Sequence, residues 1–166
     1  MINIYRSDED KNLEEINTPV EGCWICAVHP TGEELETLSE LTEIDPDDLK
    51  APLDVEERSR LESEADYTMI LVDIPVHDEK DNYETIPLGI YITKDLILTI
   101  CLEDSHIIRA FTNNRVRDFF TFKRTRFVFQ ILYRGASTYL RYLRIIDRKS
   151  DQIEERLQRS QKNAEL

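Results

Sequence analysis

The chain has 166 residues, 40% apolar and 33% charged, with four Gly and six Pro; this describes one globular domain with a sizeable core and excludes a disordered or fibrous chain. Its net charge of −13 argues against nucleic acid as a partner, because such binding rests on Lys and Arg neutralising phosphates. No window approaches the ~20 continuous apolar residues of a membrane helix, and Met1-Ile2-Asn3-Ile4-Tyr5 does not begin a signal peptide, so the cytosol is the expected compartment.

Residues 1–6 alternate apolar and polar and predict a strand. Residues 8–17 are polar and acidic and read as a loop or short helix. Cys23-Trp24-Ile25-Cys26-Ala27-Val28 reads as a short buried strand that ends at His29-Pro30. Thr31-Gly32-Glu33-Glu34 has capping-box spacing, and Leu35, Leu38 and Leu41 give the following helix an apolar face. Asp45-Pro46-Asp47-Asp48-Leu49 opens a second, short helix, with Asp as N-cap and Pro at the first helical position, which Pro52 stops.

Strands follow. Residues 56–64 alternate weakly. Residues 66–75 are strongly apolar and predict a strand ending at Pro75. His77 to Asn82 is a charged turn. Residues 83–93 and 96–102, joined by Lys94-Asp95, read as a hairpin. Together these predict a mixed sheet of about five to seven strands. Beyond residue 104 the pattern turns helical. Residues 106–114 form a short helix, and from Phe122 apolar residues recur every three or four positions through Leu157, predicting one long amphipathic helix or an antiparallel pair. The expected division is 1–120 for the α/β part and 121–166 for the helices. The helix reaches Leu166 without Gly, Pro or a cap, which predicts that the natural sequence continues.

Charge is unevenly spread. Residues 1–104 hold 28 acidic and 7 basic side chains; residues 105–166 hold 6 and 14. An acidic body is expected to face a basic helical part, within one molecule or between copies. Three cysteines make no disulfide framework. Cys23 and Cys26 point to opposite sides of a strand and are expected to be core residues. Zinc needs four ligands, and no second Cys pair accompanies His29. His77 and His106 are scattered. GxGxxG, GxxxxGK[ST], HExxH and GxSxG are all absent, so no enzyme is expected. The remaining chemistry is acidic: Asp45, Asp47, Asp48, Asp54, Glu56 and Glu57 fall within thirteen residues. Without EF-hand spacing they could hold only a hydrated, weakly bound hard cation such as Mg2+.

In order, Trp24-Ile25, Ile44-Asp45-Pro46, Leu49, Glu57-Arg58-Ser59-Arg60-Leu61-Glu62, Tyr67, Pro75 and the hairpin "GIYITKDLILTI" resemble the N-terminal cytosolic domain of CorA-type magnesium transporters. "IIDRKSDQIEERL" resembles that family's paired acidic helices, and "SQKNAEL" the start of its stalk helix. The resemblance implies an α/β domain with a mixed parallel and antiparallel sheet, layered with helices and followed by a long helical hairpin. It implies a regulatory domain of a channel for Mg2+, with Co2+ or Ni2+ as further cargo, and no enzyme activity. It implies a homopentamer at the cytoplasmic face of the membrane. Weakly bound regulatory Mg2+ would lie between neighbouring domains and hold the channel closed. The Gly-Met-Asn signature and the membrane helices would lie past Leu166.

The sequence departs from the family in one place that matters. The regulatory acid pair after the short helix falls on Lys50-Ala51, which leaves the flanking Asp48 and Asp54 as candidate metal ligands. Acids expected on the first long helix fall on Ser137-Thr138. Two other readings stay open at this point. A zinc-transporting relative would share the fold. A soluble interaction module would require the chain to end at Leu166.

Overall fold

The computed structural model describes residues 1–10, 12–78 and 82–164, with side chains to Gln161. The strands are β1 (Ile2–Ser7), β2 (Leu13–Ile16), β3 (Trp24–Val28), β4 (Arg60–Ser63), β5 (Tyr67–His77), β6 (Tyr83–Thr93) and β7 (Ile97–Cys101). They form one sheet in the order β2-β1-β3-β7-β6-β5-β4. Every neighbouring pair is antiparallel except β3 and β7, which run parallel with Trp24 opposite Ile97 and Val28 opposite Cys101. The helices are α1 (Gly32–Thr42), α2 (Pro46–Lys50), α3 (His106–Thr112) and α4 (Arg124–Ala164), with a 3-10 turn at Ala51–Leu53.

Local chemistry sets these boundaries. Thr31 Oγ1 accepts the Glu34 N–H at 3.2 Å, and Glu34 Oε2 accepts the Thr31 N–H at 2.9 Å, so two donors at the start of α1 are satisfied reciprocally. Asp45 Oδ1 caps α2 through the Asp47 N–H at 2.8 Å.

The central strands are buried on both faces and therefore read as continuous apolar runs. On one face Trp24, Cys26, Ile97 and Cys101 pack with α3 (Ile107, Ile108, Phe111) and the start of α4 (Phe127, Val128, Ile131). On the other, Ile25, Ala27, Leu98 and Ile100 pack with α1 (Leu35, Leu38) and Leu49 of α2. Trp24 anchors the first layer, edge-on to Phe127 at 5.0 Å, with its indole N–H donated to Thr99 Oγ1 at 2.8 Å.

Three expectations change. Residues 8–17 contain strand β2 rather than only a loop or helix. Its apolar residues Leu13 and Ile16 sit three apart, which hides the alternation, and β1 fixes it by pairing Ile4 with Ile16. β5 runs two residues past Pro75. β4 begins at Arg60, opposite Leu71, so beyond Leu71 β5 is a sheet edge, where the missing proline N–H costs no ladder bond on that side. No helical hairpin forms within the described residues: α4 is one unbroken helix of 41 residues. Gly135 costs a helix only about 1 kcal/mol, and no proline interrupts it. The charged turn expected at 77–82 lies partly at 79–81, outside the described residues. Its ends close through Asp78 Oδ1, which accepts the Asn82 N–H at 2.9 Å.

The outer face of α4 is apolar too. Phe129, Tyr133, Leu140 and Leu143 are 66, 75, 57 and 53% exposed. With Ala136 they follow a four-three spacing, the pattern of a helix seam.

Candidate functional site

The acidic run crosses one face of the sheet, where the 3-10 turn packs on β6 and β7, before the chain enters the edge strand β4, and its residues do different jobs. Asp48 is half-buried in α2. Its Oδ2 accepts the Tyr67 hydroxyl at 2.6 Å, and its carbonyl accepts the Tyr91 hydroxyl at 2.7 Å. Tyr67 also accepts the Asp45 N–H at 3.4 Å. Burial, then the bond to Asp48, push the Tyr67 phenol up to about 12. Burial pushes Tyr91 up further. Both phenols stay protonated and donate, so Asp48 pins α2 to β5 and β6.

Asp54 is different. It is exposed at the end of the 3-10 turn and spends Oδ1 on the Glu56 N–H at 2.9 Å. Glu57 and Glu62 are both drawn to Arg60, whose Nη1 lies 2.5 Å from Glu57 Oε1 and whose Nε lies 2.6 Å from Glu62 Oε1. Asp47 pairs with Lys50 at 3.4 Å. The dense charge of residues 54–62 is thus partly self-neutralised along an edge strand, and charge on an edge discourages stray pairing.

Position 51 is packed inward. Ala51 and Pro52 are buried, and Pro52 lies against β6, where a Cβ added to Gly89 would meet its Cγ at 2.9 Å. A carboxylate at 51 would be buried, which makes Ala51 the fitting residue there. Thr138 is likewise buried beside His106 (3.5 Å from its Nε2).

Among the described residues, no three His, Cys, Asp or Glu side chains converge as a metal site. The exposed carboxylates of Asp54 and Glu56 suit a hard cation that keeps most of its waters. Asp48, already committed to Tyr67, suits it less.

The cysteines lie in the two core layers, with Cys23 on the side opposite Cys26. Burial pushes the Cys26 thiol up to about 12 and raises Cys23 and Cys101 as well, which disfavours the reactive thiolate at all three. His77 and His106 are not scattered: both rings approach Tyr142, at 6.0 and 6.2 Å. The sequence also gave no sign of a crevice beside His29, formed with Tyr5, Asp104 and Arg109.

A seven-stranded mixed sheet with helices on both faces, followed by one long helix, defines an α/β domain with a helical extension. Three comparisons place it. Residues 21–166 match the profile described as CorA-like Mg2+ transporter protein. The chain is 34% identical over 138 residues to the cobalt/magnesium transport protein CorA of Methanocaldococcus jannaschii, covering 80% of this chain and 41% of that one. Its fold is similar to the soluble domain of CorA from Methanocaldococcus jannaschii, with TM-score 0.76, 26% identity, and 95% of this chain and 64% of that one covered. It is also similar to the complete structure of CorA from that organism (TM-score 0.79, 24% identity, 95% and 51% covered) and to full-length CmaX (0.73, 10%, 92% and 50%). The chain belongs to the CorA-like Mg2+ transporter family, whose members transport ions and are not enzymes. It spans about half the length of the full-length relatives it matches. No helix among the described residues is long and apolar enough to cross a membrane.

Proposed function

We propose that this chain is the cytosolic regulatory domain of a CorA-like Mg2+ transporter, that the parent protein also carries Co2+ or Ni2+, and that hydrated Mg2+ held between copies restrains it. The observation that carries this reading is the family match across 21–166 together with likeness to a CorA soluble domain.

Physics supplies the mechanism. Residues 1–104 carry 21 more acids than bases. At physiological salt, screening extends over ~8 Å, so acidic faces brought into contact repel. A divalent cation at Asp54 and Glu56 relieves that repulsion, and its loss lets the copies separate. Arg141, Arg144 and Arg148 are exposed on α4 and offer a neighbour's acids a counter-charge. The apolar outer stripe of α4 supplies surface for self-association. In the full-length protein the assembly is a homopentamer at the cytoplasmic membrane face, anchored by the segment that follows.

The test compares sedimentation and thermal unfolding of the chain in EDTA and in about 20 mM MgCl2, with NaCl matched for ionic strength. Mg2+ is expected to raise Tm by several degrees or to shift the chain to a larger species. Identical behaviour in Mg2+ and matched NaCl would refute the sensor reading.

A further inference from the structure

β3 and β7 lie side by side and parallel, and the chain leaves them towards opposite faces. After β3 it enters α1, whose Leu35 and Leu38 pack on one face. After β7 it enters α3, whose Ile107, Ile108 and Phe111 pack on the other. Divergent exits from adjacent parallel strands open a crevice beyond their carboxyl ends, where open α/β sheets bind ligands. A crevice of about 510 Å³ opens on the α3 side of that place and runs back between α3 and strands β1 and β3, within the ~300–1,000 Å³ of small-molecule sites. Tyr5, Cys26, Val28 and Ile108 give it an apolar wall; His29 and Arg109 stand at its polar rim.

The rim is specific. His29 holds φ at 46° immediately before Pro30. Left-handed backbone is costly for a non-glycine residue, a proline normally forces its predecessor into extended conformations, and such strain gathers at ligand sites. His29 Nδ1 lies 3.2 Å from the Leu102 carbonyl. A carbonyl only accepts, so Nδ1 donates, and neutral imidazole presents Nε2 as an acceptor. Arg109 meets Asp104 Oδ2 through Nε at 3.2 Å, which leaves its Nη fork to a ligand. The loop after β3 cannot cradle a phosphate. Pro30 has no N–H, and Glu34 already takes the Thr31 N–H. The Met1 ammonium also lines the crevice but is taken by the Val28 carbonyl at 2.9 Å and the Glu34 carboxylate at 3.2 Å, so charge recognition falls to Arg109, which suits a single carboxylate.

We propose that this crevice binds a small monocarboxylate with a compact apolar body: its carboxylate on the Arg109 Nη fork, a donor group on His29 Nε2, and its body against Tyr5, Val28 and Ile108. Asp104, whose carboxylate also lines the crevice, is already paired with Arg109 through Nε.

The probe is 4-hydroxybenzoate, titrated into the labelled chain in EDTA and followed by amide NMR, so that the result is independent of the Mg2+ reading. Saturable shifts at residues 26–29 and 104–112 are expected, with Kd of about 1 mM. Arg109→Gln should weaken binding about tenfold or more, and Arg109→Lys, which keeps the charge but loses the fork, nearly as much. The neutral 4-hydroxybenzamide should bind as weakly as the probe does to the glutamine variant. Absence of saturable shifts overturns the proposal. So does undiminished binding by both arginine variants, or inorganic phosphate moving the same amides more strongly than the probe.

Discussion

The Tyr67 hydroxyl donates to Asp48 Oδ2 at 2.6 Å, joining the start of β5 to helix α2 of the acidic run. Tyr67→Phe keeps the ring and deletes the donor. It leaves a half-buried carboxylate without this partner, which costs roughly 1–3 kcal/mol. Asp48→Asn keeps an acceptor oxygen and should cost less. Urea midpoints at neutral pH measure both, and the double variant should cost less than the sum, because the two residues share one bond. A Tyr67→Phe midpoint equal to the parent's would show that the bond carries no net stability.

Gly89 is where β6 lets the 3-10 turn come close. A Cβ there would meet the Tyr91 hydroxyl at 2.8 Å and Pro52 Cγ at 2.9 Å. Gly89→Ala must displace both. Overpacking of this kind costs ~1–3 kcal/mol. It should also disturb the Tyr91 bond to the Asp48 carbonyl, so amide shifts are expected at 48–54 as well as at 89. Shifts confined to 88–90, with stability unchanged, would show that the turn yields freely.

Which parts of this arrangement the sequence reveals follows from the range of the forces involved. The Thr31–Glu34 box, the Asp45-Pro46 start and the Lys94-Asp95 turn are local, and each holds: Thr93 N–H closes on the Leu96 carbonyl at 3.0 Å. β2 has no local signature, because Leu13 and Ile16 acquire a common edge only through pairing with β1. The parallel contact between Trp24 and Ile97 joins residues far apart in the chain, so neither it nor the crevice at its end has a local signature. Asp48 and Asp54 look alike as sequence. Only the position of Tyr67, nineteen residues from Asp48, separates an anchored carboxylate from an exposed one.

His106 makes stability depend on pH. Burial, then the charges of Arg141, Arg109 and Arg134, hold its pKa below the ordinary 6.5. As pH falls, the unfolded chain takes up this proton before the folded one. The contribution is therefore complete above 6.5 and is lost as pH drops through 6.5 towards the lowered folded value. His106→Gln can still bond Thr138 and removes the titration. Between about pH 7.5 and pH 5, its urea midpoint should fall less than the parent's. Asp8 and Glu34, whose carboxyls are lowered mainly by hydrogen bonds at Asn12 and Thr31, act in a more acidic range and stay separable. Parallel midpoint curves for the two proteins would remove His106 as a source.

Asp54 and Asp48 give opposite predictions, which makes them the decisive pair for the Mg2+ reading. Asp54→Asn retains an Oδ1 to accept the Glu56 N–H, so in EDTA its stability should stay within about 0.5 kcal/mol of the parent's. It also loses a full charge and a hard oxygen ligand, and Mg2+ binding depends on both. Its Mg2+-induced rise in Tm should fall by half or more. Asp48→Asn weakens the bond from Tyr67 and lowers Tm in EDTA, yet it should keep most of the Mg2+ response. Melting curves in EDTA and in Mg2+ separate the two effects on the same samples. If Asp48→Asn loses the response and Asp54→Asn keeps it, the cation sits at the Tyr67 anchor and its arrival must break that bond. If both keep it, the carboxylates that meet Mg2+ lie outside α2, the 3-10 turn and β4.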